Sequence, residues 1–285
     1  MARPVERDAR GIVNPAAGLR HFRLDRIDPS ARVARFVELY WIVEWDLDPG
    51  AAHTQELVTH PSVNLSFQCQ HRGPGDDRSA HVNGVVRTRD ERTISGSGTV
   101  LGVKFRPGGF RPFLDRSVRS LTDRILPADE VFGGDLLGAG AQVGGRPAGE
   151  VALAVDSALA ALVPDERHPC EDVIAIAERM IADPAVTRVD AVATDVGISV
   201  RHLERRFRDA VGVNPKWVIQ RSRLHEAAER VRDGDAVEWA ALATELGFSD
   251  QAHLTREFRA AYGTTPDAYA RACAEAAHRL TGHMS

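Results

Sequence analysis

Three cysteines in 285 residues, Cys69, Cys170 and Cys273, are odd in number and widely separated. That argues against a disulfide framework and for a reducing, cytoplasmic setting. No apolar run approaches the roughly 18 residues that a membrane span demands, and the opening MARPVERDAR has no apolar stretch of the secretory kind. Neither a membrane contact nor export is expected. Nucleophile and nucleotide fingerprints are missing too, with no G-x-S-x-G, P-loop or G-x-G-x-x-G. His53, His60, His71 and His81 lack H-x-H spacing with a following Glu, and Cys69-Gln70-His71 is a pair without a second cluster. Zinc sites need three or four protein ligands, so no metal, no cofactor and no catalytic residue is expected. Cationic excess is also absent: Lys and Arg total 36 against 40 Asp and Glu, a net charge of −4.

The positive charge that exists is concentrated. Residues 189–213, VDAVATDVGISVRHLERRFRDAVGV, read as two short helices and a tight turn. Val189, Val192, Ala193 and Val196 fall at i, i+3, i+4 and i+7, one apolar helix face. Thr187 and Asp190 have the spacing of a capping box at its start. Gly197 ends the helix, because glycine alone enters the left-handed region without a Cβ penalty; Ile198 then turns inward and Ser199 caps the next helix. In that second helix Leu203 and Phe207 pack inward, while Arg201, Arg205 and Arg208 line the other side. From Val200 to Arg232 nine Lys/Arg oppose four acids, a surplus of five. Such an island suits a phosphate-reading surface, since counterion release supplies most non-specific affinity for DNA. A solvated helix face gives the same pattern, so one copy decides little.

There are two copies. Ala193 to Ser199, ATDVGIS, is echoed fifty residues later by Ala243 to Ser249, ATELGFS. Beyond the turn the offset becomes fifty-one: Leu203 and Phe207 correspond to Leu254 and Phe258, and Gly212-x-x-Pro215 to Gly263-x-x-Pro266. A repeat that keeps the turn glycine, the buried pair and the terminating Gly-x-x-Pro implies one supersecondary unit used twice. The run Lys216 to Arg232, KWVIQRSRLHEAAERVR, suits a helix connecting them.

The second copy, GFSDQAHLTREFRAAYGTTPDAYAR from Gly247 to Arg271, closely resembles the signature of AraC/XylS-type transcription regulators, and the likeness extends over about Ile174 to Cys273. It implies two helix-turn-helix units on one long helix, each placing its second helix in the major groove of double-stranded DNA. By that resemblance and by helical facing, Arg201, Glu204 and Arg205 of the first unit, and Gln251, Ala252 and Arg256 of the second, would meet base edges. Arg pairs with guanine, Glu accepts from cytosine N4 and Gln reads adenine, whereas Ala252 offers only a methyl-sized contact. Ser199, Arg206, Arg208, Lys216, Ser249 and Arg259 would hold phosphates, which fixes register without reading sequence. His202 and His253 are expected to pack or to touch phosphate. The domain departs from the usual basic character of DNA binders: from Glu171 to Leu280 fifteen Lys/Arg face eighteen Asp/Glu, a net −3.

From about Leu19 to Arg106 the pattern changes to short runs rich in β-branched and aromatic residues: Val37 to Leu47, His60 to Cys69, His81 to Arg87 and Thr99 to Phe105. The segment GVKFRPGGF, Gly102 to Phe110, resembles the close of a poorly characterised domain found ahead of some AraC-type modules. Trp41 and Trp45 share one strand face with Val43. Such an aromatic wall belongs either to a core or to an effector pocket, and in a pocket Asn64, Gln68 and Lys104 are the candidate polar contacts. After Arg116 the chain reads as mainly helical, with a soft glycine-rich loop over Gly138 to Gly149 and an Ala/Leu/Val-rich helix over Glu150 to Leu162.

The expected fold is therefore α+β: a small N-terminal antiparallel β-barrel or sandwich with a helical extension, then an all-α domain of two helix-turn-helix units joined by a long helix. The expected divisions are a tail over 1–18, a β-rich effector or sensor domain over 19–115, a helical and glycine-rich linker over 116–168 with a dimerising role, and the DNA-binding domain over 169–285. PDERHP, Pro164 to Pro169, is the expected joint. The expected partners are double-stranded DNA, a small-molecule effector, RNA polymerase and a second copy of the chain. The alternative keeps the DNA module and makes the N-terminal half an enzyme or an alkyl acceptor, which would need a reactive cysteine.

Overall fold

A computed structural model of the chain describes residues 12–13, 18–72, 75–232 and 237–281. Nearly all of the tail expected over residues 1–18 lies outside these. Among the described residues the N-terminal half holds eight strands: β1 (Arg23–Ile27), β2 (Val37–Asp46), β3 (Ala52–Val58), β4 (Asn64–Arg72), β5 (Gly75–Asn83), β6 (Arg89–Ser95), β7 (Ser97–Phe105) and β8 (Ile125–Pro127). Six make one antiparallel sheet in the order β1-β2-β7-β4-β5-β8, and β3 pairs with β6 in a separate ribbon.

The barrel expected from the sequence does not close, because the edge strands β1 and β8 do not pair with each other. The alternation along β4 shows why closure is not needed. Leu65, Phe67 and Cys69 point into the core, while Asn64, Ser66 and Gln68 stay half-buried on the other face. The apolar face is covered by helices instead of by a second sheet. Short α1 (Gly134–Gly140) and longer α2 (Ala148–Leu162) supply that cover, α2 burying Val151, Ala152, Val155 and Leu159.

The glycine-rich stretch expected as a soft loop packs closely. A Cβ on Gly140 would stand 2.1 Å from the Phe67 ring, and one on Gly144 would stand 2.3 Å from Cys69 Sγ. Gly144 also has φ +80°, so two constraints select glycine there. Across the same interface Tyr40 of β2 donates its hydroxyl to Asp156 of α2 at 2.8 Å, and the Ser30 backbone N–H donates to the same carboxylate at 3.0 Å. Burial, with Asp156 alongside, drives the Tyr40 phenol well above its ordinary pKa.

The helical half comprises α3 (Cys170–Ala182), α4 (Val189–Asp195), α5 (Val200–Ala210), α6 (Pro215–Arg232), α7 (Trp239–Glu245), α8 (Gln251–Tyr262) and α9 (Pro266–Thr281). The joint before α3 is clamped. Arg32 donates to the Ala160 and Val163 carbonyls, both at 2.8 Å, and Arg35 donates to the Pro164 carbonyl at 2.7 Å and to Glu171 at 2.7 Å. One apolar core runs from Tyr40, Leu101 and Phe105 through Phe110 and Val155 to Cys170, Ala177, Leu203 and Phe207, so it passes without a break from sheet to helices. A second core gathers Leu224, Leu242, Leu254, Phe258, Tyr262 and Tyr269, with Val58 of β3 as its contribution from the ribbon. Helix α6 belongs to both, through Val218 and Ile219 at one end and Leu224, Ala227 and Val231 at the other.

Tyr40→Phe removes a buried donor while leaving Asp156 in place, and is expected to cost about 1–3 kcal/mol. Urea unfolding followed by tryptophan fluorescence would show the midpoint falling with an unchanged slope.

Candidate nucleic-acid interface

Helix α4 ends where the sequence places its stop. Gly197 has φ +69°, and the Ile198 N–H returns to the Ala193 carbonyl at 3.0 Å. Ser199 is the N-cap of α5, its hydroxyl accepting from the His202 N–H at 3.2 Å. The start of α4 differs from expectation. Its N-cap is Arg188, without a side-chain cap, and Asp190 instead takes the Arg188 guanidinium and the Ala191 N–H. The Arg188 guanidinium holds the Asp190 carboxyl down to a pKa of about 2. Thr187 is used elsewhere: a Cβ on Gly247, in the turn of the second unit, would stand 2.7 Å from Thr187 Cβ.

The second unit repeats the first with one shift. Gly247 has φ +78° and the Phe248 N–H returns to Ala243 at 2.8 Å. The N-cap of α8 is Asp250, not Ser249; its carboxylate accepts from the His253 N–H at 2.7 Å. This is the extra residue that changes the repeat offset from fifty to fifty-one. Ser249 is left with its hydroxyl 3.1 Å from His253 Nδ1. Accepting the His253 N–H, the largest influence that lowers it, holds the Asp250 carboxyl below the usual range.

Leu203, Phe207, Leu254 and Phe258 are each fully buried, as the repeat requires. On the opposite flanks Arg201, Arg205, Gln251, Ala252, Arg256 and Arg259 are exposed, and so is Lys216 at the start of α6. Among the described residues Arg201, Lys216, Arg256 and Arg259 make no ion pair, and Arg205 meets only His202 Nδ1, at 3.5 Å. Glu204 and Arg208 are half-buried and pair with each other at 3.0 Å.

Several cations in the local surplus face elsewhere. Arg206 reaches back to Asp172 and the Pro169 carbonyl, both at 3.1 Å, and so ties α5 to α3. Arg221 and Arg223 are 4% and 1% exposed, hence interior. Arg223 donates to the Met180 and Asp183 carbonyls at the end of α3. Arg221 donates to the Arg87 carbonyl at 2.5 Å and stacks on Trp217, and burial lowers its pKa to about 10. Arg230 is held by Glu226 and Glu245. The charge surplus counted along the sequence is therefore larger than the one that reaches solvent. A charge count cannot separate an arginine that caps a buried helix end from one that faces water.

In the sheet, Trp41 and Trp45 do share a face. Trp41 lies over Gly102, where a Cβ would be 1.9 Å from its ring, and donates to Asn64 Oδ1 at 3.2 Å. Trp45 is buried over Gly98, at the corner where the ribbon begins, and donates to the Ser95 carbonyl at 3.1 Å. Lys104 is tied to Glu38 at 2.9 Å, and Gln68 is half-buried on the same sheet face as Asn64. The structure thus joins Trp41 to Asn64, with Lys104 in register beside Asn64, and sets Trp45 apart. It also brings together what the spacing left separate: pairing of β4 with β5 puts Asp76 beside His71 at 2.9 Å, with Cys69 in the same group. The other Asp76 oxygen takes Arg78 at 2.8 Å. Cys69 is fully buried and burial pushes its thiol up, the reverse of what a reactive cysteine needs.

Two family models match the chain: a helix-turn-helix domain over residues 192–272, and a domain of unknown function, DUF6597, over residues 25–127. The chain is 35% identical over 79 residues to a probable transcription factor, PqrA, of Proteus vulgaris, covering 28% of this chain and 64% of that protein. It is 34% identical over 77 residues to the transcriptional activator RhaS of Escherichia coli, covering 27% of each. The C-terminal third is an AraC-type helix-turn-helix domain. The chain thus spans less than two thirds of either relative. Among solved structures, ToxT of Vibrio cholerae aligns over 82% of the chain at 11% identity with a TM-score of 0.37. The C-terminal domain of AraT, a response regulator of Geobacillus stearothermophilus, aligns over 34% at 20% identity with a TM-score of 0.30. No helix among the described residues is long and apolar enough to cross a membrane.

Ser199→Ala removes the N-cap of α5 in the AraC-type domain and is expected to cost about 1 kcal/mol. A melt monitored by far-ultraviolet circular dichroism would register it as a lower Tm.

Proposed function

We propose that the chain is a sequence-specific transcription regulator whose α5 and α8 enter successive major-groove segments of a duplex. The observation that carries this reading is the exposure of unneutralised cations on both helices, each opposite a fully buried Leu/Phe pair. In a protein where most arginines have acid or carbonyl partners, free guanidinium groups on these two flanks are what a phosphate backbone requires. Arg201, Glu204 and Arg205 read bases from the first unit, and Gln251, Ala252 and Arg256 from the second, at sites about 34 Å apart on one DNA face. Lys216 and Arg259 hold phosphates, with Ser199 and Ser249 at the helix starts and Arg208 once it leaves Glu204. Arg206 stays with Asp172 and acts through packing. The acidic balance of the domain implies modest non-specific affinity, with the first unit carrying more of the binding.

In this reading residues 19–115 form the sensor domain, 116–168 the helical extension and 169–285 the DNA-binding domain, in the cytoplasm. The face bearing Trp41, Asn64, Gln68 and Lys104 receives a small-molecule effector. Leu153 and Leu162, 63% and 48% exposed on α2, give a second copy of the chain a place to pair, and RNA polymerase is the further partner of an activator. An enzymatic or alkyl-accepting N-terminal half finds no support in Cys69, which is sealed beneath Gly144.

Recovery of bound duplexes from a random pool supplies a specific site, against which Arg205→Ala and Arg256→Ala are compared. Arg205→Ala is expected to cost about 1–3 kcal/mol of binding and to relax preference at one base. A larger loss from Arg256→Ala would overturn the assignment of primary reading to the first unit.

A further inference from the structure

An open groove of about 490 Å³ runs between α5 and the turn Val118–Leu121, lined by Ser117, Arg119, Ser120, Arg205, Arg208 and Asp209. It has contributions from both halves of the chain. Its one carboxylate, Asp209, is engaged by Arg111 Nε at 2.9 Å, and Arg208 is matched by Glu204. Arg119 and Arg205 remain: both are exposed, and neither has an acid partner among the described residues. The hydroxyls are spent on the turn itself, since Ser117 Oγ donates to the Arg208 carbonyl at 3.3 Å and Ser120 Oγ donates to the Ser117 carbonyl at 2.8 Å. The free donors facing this groove are therefore guanidinium N–H groups.

The turn that carries Arg119 is fixed against α5. Val118 and Leu121 are buried, and Thr122 Oγ1 donates to the Gly212 carbonyl at 2.8 Å, where Gly212 has φ +93° and a Cβ would stand 3.0 Å from that same Thr122 oxygen. Arg119 is thus an exposed cation without an acid partner on the rim of this groove, and an anion seated there would meet its charge. The anion nearest to a helix reading the major groove is a backbone phosphate of the same duplex.

We propose that Arg119, outside the helix-turn-helix domain, is a DNA-phosphate ligand, and that the groove it lines beside α5 seats one phosphodiester of the strand that α5 reads. This rests on the duplex-binding reading above. It adds a positioning contact that carries no sequence information, and it makes the grip of the first unit depend on how the turn after the sheet sits on α5.

The test uses the full chain with its selected duplex and an unrelated duplex, and measures Kd against KCl concentration for the wild type, Arg119→Ala, Arg119→Lys and Arg116→Ala. Arg116 is an exposed neighbour facing Asp115 and serves as the charge-matched control. Arg119→Ala is expected to weaken both duplexes alike, about 3- to 10-fold, and to reduce the salt slope by about 0.9, the value of one phosphate contact. Arg119→Lys should keep most of the affinity and Arg116→Ala should change little. Wild-type affinity and slope in Arg119→Ala, with its Tm unchanged, would overturn the proposal while leaving the regulator reading intact. So would a titration with inorganic phosphate in which Arg119→Ala abolishes phosphate binding but not duplex binding, because the groove would then serve a free anion. Absence of duplex binding by the wild type would remove the parent reading and this one together.

Discussion

The first helix-turn-helix unit has no core of its own. Leu203 and Phe207 are buried in the apolar mass that also holds Leu101, Phe105 and Phe110, and Val118 and Leu121 complete the wall against α5. Fully burying one such side chain is worth about 1.5–3 kcal/mol, so several of them joined across the two halves make separation costly. The position of α5 is therefore set by the sheet and the segment leaving it as much as by its own turn. The second unit stands differently, closing its core on α6 and taking little from the ribbon beyond Val58.

Charge is partitioned along the same lines. Arginines at joints are spent on carbonyls and carboxylates: Arg32 and Arg35 bind the strap before α3, Arg206 binds α3, and Arg221 and Arg223 enter the interior to satisfy backbone oxygens. The penalty of burying a guanidinium is offset where it meets acceptors that would otherwise be orphaned at a helix end. Among the described residues, cations left without an acid partner include those on the outward flanks of α5 and α8, on the first turn of α6 and, at Arg119, on the turn beside α5. A protein of net negative charge can in this way present a cationic surface without a basic domain.

Much of this was legible in the sequence, for reasons that can be named. The turn glycines Gly197 and Gly247, the buried Leu/Phe pairs and the long joining helix obey local rules, and repetition made them secure. The strands β2 and β7, rich in β-branched and aromatic residues, and β4, with Leu65 and Phe67, were readable because they too obey local rules. Strands β3 and β6 were not, because AHTQELV and RDERTIS are polar at most positions and are held largely by cross-strand contacts such as Thr54 with Thr93 at 2.8 Å. Thr187 looked like a cap and proved to be packing, since a capping box depends on backbone geometry that spacing alone does not fix. The approach of Asp76 to His71 depends on the register of one hairpin, which spacing alone does not fix, and Arg119 and Arg205 line one groove only because segments far apart in sequence pack together.

The contact of Gly247 with Thr187 has a consequence for how a duplex is accommodated. The turn of the second unit rests on the strap leading into the first, with no space for even one added carbon, which couples the placement of α8 to that of α5. If both helices enter one duplex as proposed, a target whose two half-elements are out of phase must be brought into phase by twisting or bending of the nucleic acid, and discrimination among targets would draw on how easily the intervening base steps deform.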